Sequence, residues 1–339
     1  MNDKRLIVSG SPHIHSNDSL EKRMWGVVLA LVPALAFSIY AFGLGALVVI
    51  LTSVLGCVLV EYLLQRYLMR GKLTITNGSA VITGFLLAMN LPSNLPIWII
   101  LIGCVVAIGL GKYAFGGLGQ NIFNPAILGR VFLLISFPQQ MTSWPLPMVN
   151  RDCYLDATTG ATFLGHMKMS VLSATDTSTG ATAIANNLSE FAPENLEWLD
   201  ALIGNMGGSM GEISAVALLL GGVFMLVRRI ISWHIPVSII TTVMLFSWCV
   251  GIDPVMSVLS GGVMLGAIFM ATDYVTSPMT HKGMILYGIM IGVITMVIRL
   301  WGAYPEGVSF AILIMNGFTP LINKYMRPKL FGERNVLNK

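Results

Sequence analysis

Residues 156–164 read D-A-T-T-G-A-T-F-L, and residues 176–184 read D-T-S-T-G-A-T-A-I. Each stretch places an Asp six positions before a Thr, with Gly-Ala just ahead of that Thr. Thr162 and Thr182 each offer a hydroxyl. Gly160 and Ala161 remove bulk beside Thr162, so a large group can approach the backbone there. No cluster of Lys or Arg lies close by in sequence to hold a phosphate by charge. On chemistry alone, the phrase reads as a Ser/Thr-rich turn capped by Asp156 or Asp176.

Other chemistries lack their parts. Lys112 follows Gly111 in G-L-G-K-Y, but no Ser or Thr follows the Lys, so a phosphate-binding loop is not formed. The run Gly116-Gly117-Leu118-Gly119 does not sit between a strand and a helix, which excludes a dinucleotide fold. The five His are dispersed, with His13 and His15 in a polar tail, and no Ser–His–Asp set can be assembled. Cys57, Cys104, Cys153 and Cys249 form no C-x-x-C, and no metal site is expected from their spacing.

The positioning elements follow from composition. The chain has 339 residues, 55% of them hydrophobic and 11% charged. Soluble domains carry about 25% charged residues, so this chain is predicted to be an all-α polytopic membrane protein solvated by lipid. Apolar windows fall near 25–41, 45–64, 97–111, 213–227, 232–250, 254–272, 284–301 and 307–323. Two shorter windows, 79–91 and 126–138, begin beside Gly, Asn or Pro and are predicted to be short, tilted or broken helices. That makes ten crossings: a tail (1–24), a five-helix half (25–138), a long loop (139–212), a second five-helix half (213–323) and a tail (324–339).

Sixteen of the 20 Lys and Arg fall in the two tails or in segments 65–78, 112–125, 228–231 and 273–283. Lys and Arg stay on the cytoplasmic side, so both termini are predicted to be cytoplasmic and the acidic loop 139–212 external. The net charge of +4 reflects this asymmetry and does not indicate nucleic acid. Residues 1–36 are not read as a signal peptide, because 24 polar leading residues are long for one.

Five crossings on each side of the loop imply an inverted repeat if the halves are related. I-T-G-F-L-L-A-M-N-L-P-S-N-L-P in the third span and L-G-A-I-F-M-A-T-D-Y-V-T-S-P in the eighth share a Gly, an apolar stretch, an Ala and a polar turn ending in Pro. Non-helical backbone is tolerated at membrane depth where it lines a cavity. Asn77-Gly78-Ser79, Asn121 to Pro125, and Thr272 to Pro278 are the candidates. Ionisable residues in spans are costly. Glu61 is expected to pair with Arg66 or to reach the headgroups, and Arg299 to snorkel at its helix end. Asp273, beside Thr272, Thr276 and Ser277, reads equally as a ligand and as a cap.

Four stretches together resemble one family: D-A-T-T-G-A-T-F-L, G-G-L-G-Q-N-I-F-N-P-A (116–126), I-G-N-M-G-G-S-M-G-E (203–212) and T-D-Y-V-T-S-P (272–278). Their order and the ten-helix layout are similar to the D subunit of Rnf complexes and the homologous B subunit of the sodium-pumping NADH:quinone reductase, over nearly the whole chain. In that family the last Thr of the first phrase carries FMN as a phosphoester made by a flavin transferase.

The resemblance implies covalent FMN on Thr162, with Thr182 as the alternative site. Phe163 stands where the family usually has Pro, while the following F-L-G-H-M-K favours the first copy. The implied cofactor-binding residues are Thr162, Gly160, Ala161, Asn121, Asn124, Gly207, Gly208, Ser209, Asp273, Thr276 and Ser277. A second, non-covalent riboflavin or FMN is implied between the halves.

The short N-terminal tail favours the Rnf type: one component of a ferredoxin:NAD oxidoreductase coupled to Na⁺ or H⁺ transport. Its implied partners are the A, B, C, E and G subunits in the cytoplasmic (inner) membrane. Chief among them are the outward-facing covalent-FMN protein RnfG and the cytoplasmic NADH-binding protein RnfC. The rival from another class is a small-solute channel or transporter, which ten helices in an inverted repeat also suit.

Overall fold

The computed structural model describes residues 19–69, 74–149, 151, 154–155, 157–160, 162–165, 167–169, 198–204 and 207–326. Thr182 and its phrase, Ala161, Asp156, Cys153 and residues 1–18 and 327–339 lie outside them.

The described residues are mostly helical and form no extended strand. In chain order the helices are α1 Leu20–Phe42, α2 Leu44–Leu63, α3 Ser79–Met89, α4 Ile97–Val105, α5 Pro125–Ser136 and α6 Pro138–Met141. They continue with α7 Trp198–Ile203, α8 Ala215–Val227, α9 His234–Val250, α10 Pro254–Leu259, α11 Val263–Leu265, α12 His281–Trp301 and α13 Val308–Tyr325. Wide π turns extend α2 through Leu64–Met69, α4 through Val106–Leu110 and α11 through Gly266–Met270. Helix starts carry the caps that orphaned N–H groups need. Asn124 accepts from Ala126 N ahead of α5, Ser214 from Ala217 N ahead of α8, and Thr280 from Gly283 N ahead of α12.

Among the described residues, four helical segments are long and apolar enough to cross a bilayer: Leu20–Phe42, Leu44–Met69, Ile97–Phe115 and His281–Trp301. α2 shows how such a helix is solvated. Leu44, Leu47, Leu51, Leu55, Leu59 and Leu63 are exposed, while Gly45, Ala46, Val49, Ser53, Gly56, Cys57 and Glu61 are buried. The steps of three and four keep the leucines on one face. In water such a stripe would be an aggregation surface, whereas in lipid it is ordinary. α3, α5 and α8, with 11, 12 and 13 residues, rise only about 17–20 Å at 1.5 Å per residue. They fall short of a hydrocarbon core of about 30 Å.

The apolar window 254–272 is not one helix. It breaks at Ser260-Gly261-Gly262, where Gly261 (φ 64°) and Gly262 (φ 56°) are left-handed. Arg299 repairs the break. Its guanidinium donates to Ser257 O at 2.6 Å, Ser260 O at 2.9 Å and Gly261 O at 2.9 Å. With 1% of its surface exposed, Arg299 does not snorkel; it satisfies carbonyls that lipid could not.

Packing relations recur between the two sides of the 139–212 segment. α2 packs on α3 and α4, while α9 packs on α10 and α12; α4 meets α5, and α12 meets α13. Two further contacts join the sides, α1 with α8 and α5 with α13. Small residues set the closest approaches. A Cβ added at Gly221 of α8 would overlap Ala30 O of α1. Gly221→Ala is therefore expected to push α1 from α8 and cost about 1–3 kcal/mol, read as a lowered melting midpoint of the detergent-solubilised protein.

Candidate functional site

Three of the four family-like stretches meet at two cavities, which α3 and α5 connect, and the fourth, 203–212, lines a smaller cavity beside the second. α3 lines one cavity with Ser79 and Thr83 and ends at Asn90, beside the other. α5 begins with Asn124 and Pro125 at the first and carries Arg130 and Leu134 to the second.

The second cavity, about 230 Å³, is lined by Arg130, Leu134, Trp144, Gly160, Thr162, Tyr304 and Glu306, among others. Local backbone pairing delivers Thr162 to it. Pro145 and Thr159 form an antiparallel bridge, Leu146 N donates to Thr158 O at 2.9 Å, and Gly160 N to Trp144 O at 3.0 Å. A Cβ at Gly160 would lie 2.7 Å from the tip of the Leu146 side chain, which would have to move aside. Leu164, 2% exposed, anchors the segment against Ile252 and Leu300. Thr162 Oγ1 accepts from Gly165 N at 3.2 Å and lines both this cavity and a smaller one of about 20 Å³ shared with Gly207, Gly208, Glu212, Ser260 and Glu306. Ser209 is buried behind it, its N–H directed to Glu212 Oε2 at 3.4 Å. The stretch holding these residues is pinned to the end of α3 by Gly211 N donating to Met89 O at 2.7 Å.

Four charged groups underlie Thr162. Arg130 donates to Asn90 Oδ1 at 2.5 Å and pairs with the Glu306 carboxylate. Arg299 and Glu212 complete the group. Sequence neighbours supply no cation for a phosphate, but the fold brings Arg130 to the cavity of Thr162. The only hint in the sequence is an Arg in an apolar window, with its partner 176 residues away. Lys168 donates to Gly302 O, and partial burial pushes its ammonium below the usual lysine range.

The first cavity, about 90 Å³, gathers the three irregular stretches: Ser79, Asn121 through Pro125, and Thr272 through Val275. Asn124 caps α5 with one amide atom and donates to Met270 O at 3.2 Å with the other. Asn316 of α13 meets Asn124 N at 3.1 Å and the Tyr287 hydroxyl at 2.6 Å. Asn121 donates to Phe123 O at 3.1 Å. Asp273 accepts from Thr276 Oγ1 at 3.3 Å, and its carbonyl from Ser277 N at 3.1 Å. Thr276 and Ser277 therefore shape the turn and do not line the cavity, while Asp273 lines it.

Beside this cavity lies a network that sequence reasoning missed. Lys112 Nζ sits 2.8 Å from both Glu61 oxygens and donates to Ser79 Oγ at 2.7 Å. Gln65 and Tyr113 also donate to Glu61 Oε1, each at 3.1 Å. Glu61 is 1% exposed, so it neither reaches headgroups nor pairs with Arg66, which donates to Tyr62 at 3.0 Å. Two buried charges need each other, and here the partner comes from 51 residues away.

Helices long and apolar enough to cross a bilayer, with short helices and cavities between them, fit a multi-pass membrane protein. The chain belongs to the NQR2, RnfD, RnfE family, whose profile matches residues 7–332. It is 44% identical to the D subunit of the Na(+)-translocating ferredoxin:NAD(+) oxidoreductase complex of Acetobacterium woodii, over 99% of this chain and 98% of that relative. It is 42% identical to the D subunit of the proton-translocating ferredoxin:NAD(+) oxidoreductase complex of Clostridium ljungdahlii, over 96% of each. It is 39% identical to the D subunit of the ion-translocating oxidoreductase complex of Stutzerimonas stutzeri, over 95% of this chain and 94% of that relative.

Proposed function

We propose that this chain is the D-type membrane component of an ion-translocating ferredoxin:NAD⁺ oxidoreductase, passing electrons across the membrane through FMN esterified to Thr162. Three near-full-length relatives named as D subunits of such complexes support that placement. The observation that carries the flavin reading is Thr162 at the wall of the cavity that Arg130, Trp144 and Tyr304 also line. Those residues fit the group: Arg130 offers a cation with a buried, unpartnered Nε, and the aromatic side chains offer faces for a planar ring. When bound, FMN supplies one-electron transfer, which no side chain here can supply.

The chain's own residues do the rest. Gly160 lets the Thr162 segment lie against residues 144–146. Gly207 and Gly208 leave room beside the hydroxyl. The charged group formed by Arg130, Glu306, Glu212 and Arg299 sets the electrostatic environment. The Asp273 cavity is assigned to a second, non-covalent riboflavin or FMN. Asn121, Asn124, Lys112 and Asp273 supply polar contacts there, against Ile82, Leu86 and Phe269.

In this reading ten crossings form two inverted halves in the inner membrane, with both termini cytoplasmic and the Thr162 cavity outward. Electrons arrive from the outward-facing flavoprotein RnfG and leave toward the cytoplasmic side, where RnfC binds NADH. A flavin transferase matures the chain, and the A, B and E subunits complete the complex. The relatives are named for Na⁺ and for protons at nearly equal identity, so resemblance does not select the ion.

The test is direct. Protein made with its flavin transferase is denatured and run on a gel, then weighed intact and mapped by peptide. A fluorescent band and an FMN-sized adduct on the peptide holding Thr162 are expected. A polypeptide of unmodified mass overturns the flavin reading and favours a solute transporter.

A further inference from the structure

The charged group under Thr162 holds more polar atoms than its hydrogen bonds use. Arg130 Nε, Arg299 Nε, Ser209 Oγ, Ser260 Oγ and Glu212 Oε1 are buried without a partner. Ser260 is 5% exposed and lines the small cavity with Glu212 and Glu306. That cavity, about 20 Å³, exceeds the roughly 10–15 Å³ a water needs. A free hydroxyl, a free carboxylate oxygen and a water-sized space therefore adjoin Glu306, as a short proton path requires.

The groups facing Glu306 fix its charge options. They are Arg130 from α5, Arg299 from α12, Glu212 from the turn before α8 and Tyr304 on its own loop, with Lys168 bonded to Gly302 nearby. Burial and the Glu212 carboxylate push the Glu306 carboxyl up to about 7, against the pull of both guanidiniums. With both carboxylates ionised, the two Glu and two Arg sum to zero. One added proton leaves a positive charge, which a negative charge in the adjoining Thr162 cavity would stabilise.

We infer that Glu306 and Glu212 form a proton-exchanging carboxyl pair that takes up one proton when an electron is placed on the group at Thr162. The inference rests on Thr162 bearing the flavin. The electron comes from a reduced one-electron carrier on a neighbouring protein of the complex. The proton comes from water on that face and binds a Glu306 carboxylate oxygen. On reoxidation both depart, and the Thr162 ester neither forms nor breaks.

The test uses the assembled complex after mass spectrometry has established the adduct. The midpoint potential of the Thr162-linked flavin is titrated from pH 6 to 8, and reduced-minus-oxidised infrared spectra are recorded. The wild type is expected to lose up to about 59 mV per pH unit, one proton per electron, and to gain a protonated-carboxyl band on reduction. Glu306→Gln, which keeps an amide oxygen for Arg130, should flatten the slope and remove the band. Where Glu306→Gln fails to assemble, Glu212→Gln is used. It removes the charge that holds a proton on Glu306, and it should flatten the slope as well.

A slope and a band unchanged by these variants overturn the pair. In flavin-free complex, pH-difference infrared spectra should still show Glu306 titrating near neutrality. Titration there supports the pair independently of the flavin, a missing adduct in transferase-matured protein overturns the flavin reading alone, and absence of titration overturns the pair.

Discussion

Thr162→Val removes FMN from the polypeptide, while Thr182→Val leaves it in place. In-gel fluorescence and the mass adduct vanish in the first variant and persist in the second, and electron transfer through the complex falls to its flavin-free background. The fold should survive the first change. Val differs from Thr chiefly in the hydroxyl, and the lost bond from Gly165 N is worth about 1 kcal/mol. Leu164 stays anchored against Ile252 and Leu300. Loss of the adduct with an unchanged melting midpoint therefore identifies the attachment point and not a misfolded loop. Retention of the adduct in Thr162→Val, with its loss in Thr182→Val, would move the site to the second phrase.

The next largest effect is expected at the Glu61–Lys112 pair. Lys112→Met leaves Glu61 buried without its cation, and Glu61→Leu leaves the ammonium alone. Breaking a buried pair from one side typically costs about 3–5 kcal/mol. At about 2.1 cal/mol/K of unfolding entropy per residue, a chain of 339 residues shifts by roughly 1.4 °C per kcal/mol, so either variant should melt about 4–7 °C lower. The double variant Glu61→Leu, Lys112→Met removes both charges together and should recover most of that loss, because replacing the whole pair by apolar groups is often neutral. Thermal melts of all four proteins in one detergent close the cycle. If the two single losses simply add in the double variant, the groups are not coupled, and the 2.8 Å contact carries no stabilisation.

Much of this was legible in the residues. The apolar windows locate helices in each place, because lipid exposure writes runs of hydrophobic residues and the leucine spacing in α2 writes the exposed face. The three irregular stretches near 77–79, 121–125 and 272–278 do contribute residues to one cavity, because non-helical backbone inside a membrane protein is tolerated where it lines a cavity. The break at Ser260-Gly261-Gly262 was hidden inside a continuous apolar window, since Gly is common in membrane helices. The charge pairings were also hidden. Glu61 and Arg299 look like snorkelling residues when judged by depth alone. Their partners lie 38 to 51 residues away, Gly261 carbonyl for Arg299 and Lys112 for Glu61. Local spacing carries no information about contacts that only tertiary packing creates.

Helix α5 serves as floor to both cavities, with Pro125 at one and Arg130 at the other. Five residues of helix rise about 7.5 Å and turn through about 500°. One stiff segment thus fixes how far apart two bound redox groups would sit and how each is oriented to its cation. Deleting a single residue between those positions would shorten the gap by about 1.5 Å and swing the guanidinium by roughly 100°. The spacing of Pro125 and Arg130 along α5 is thereby a calibrated quantity, and whatever the two cavities hold would inherit its separation from five residues of backbone.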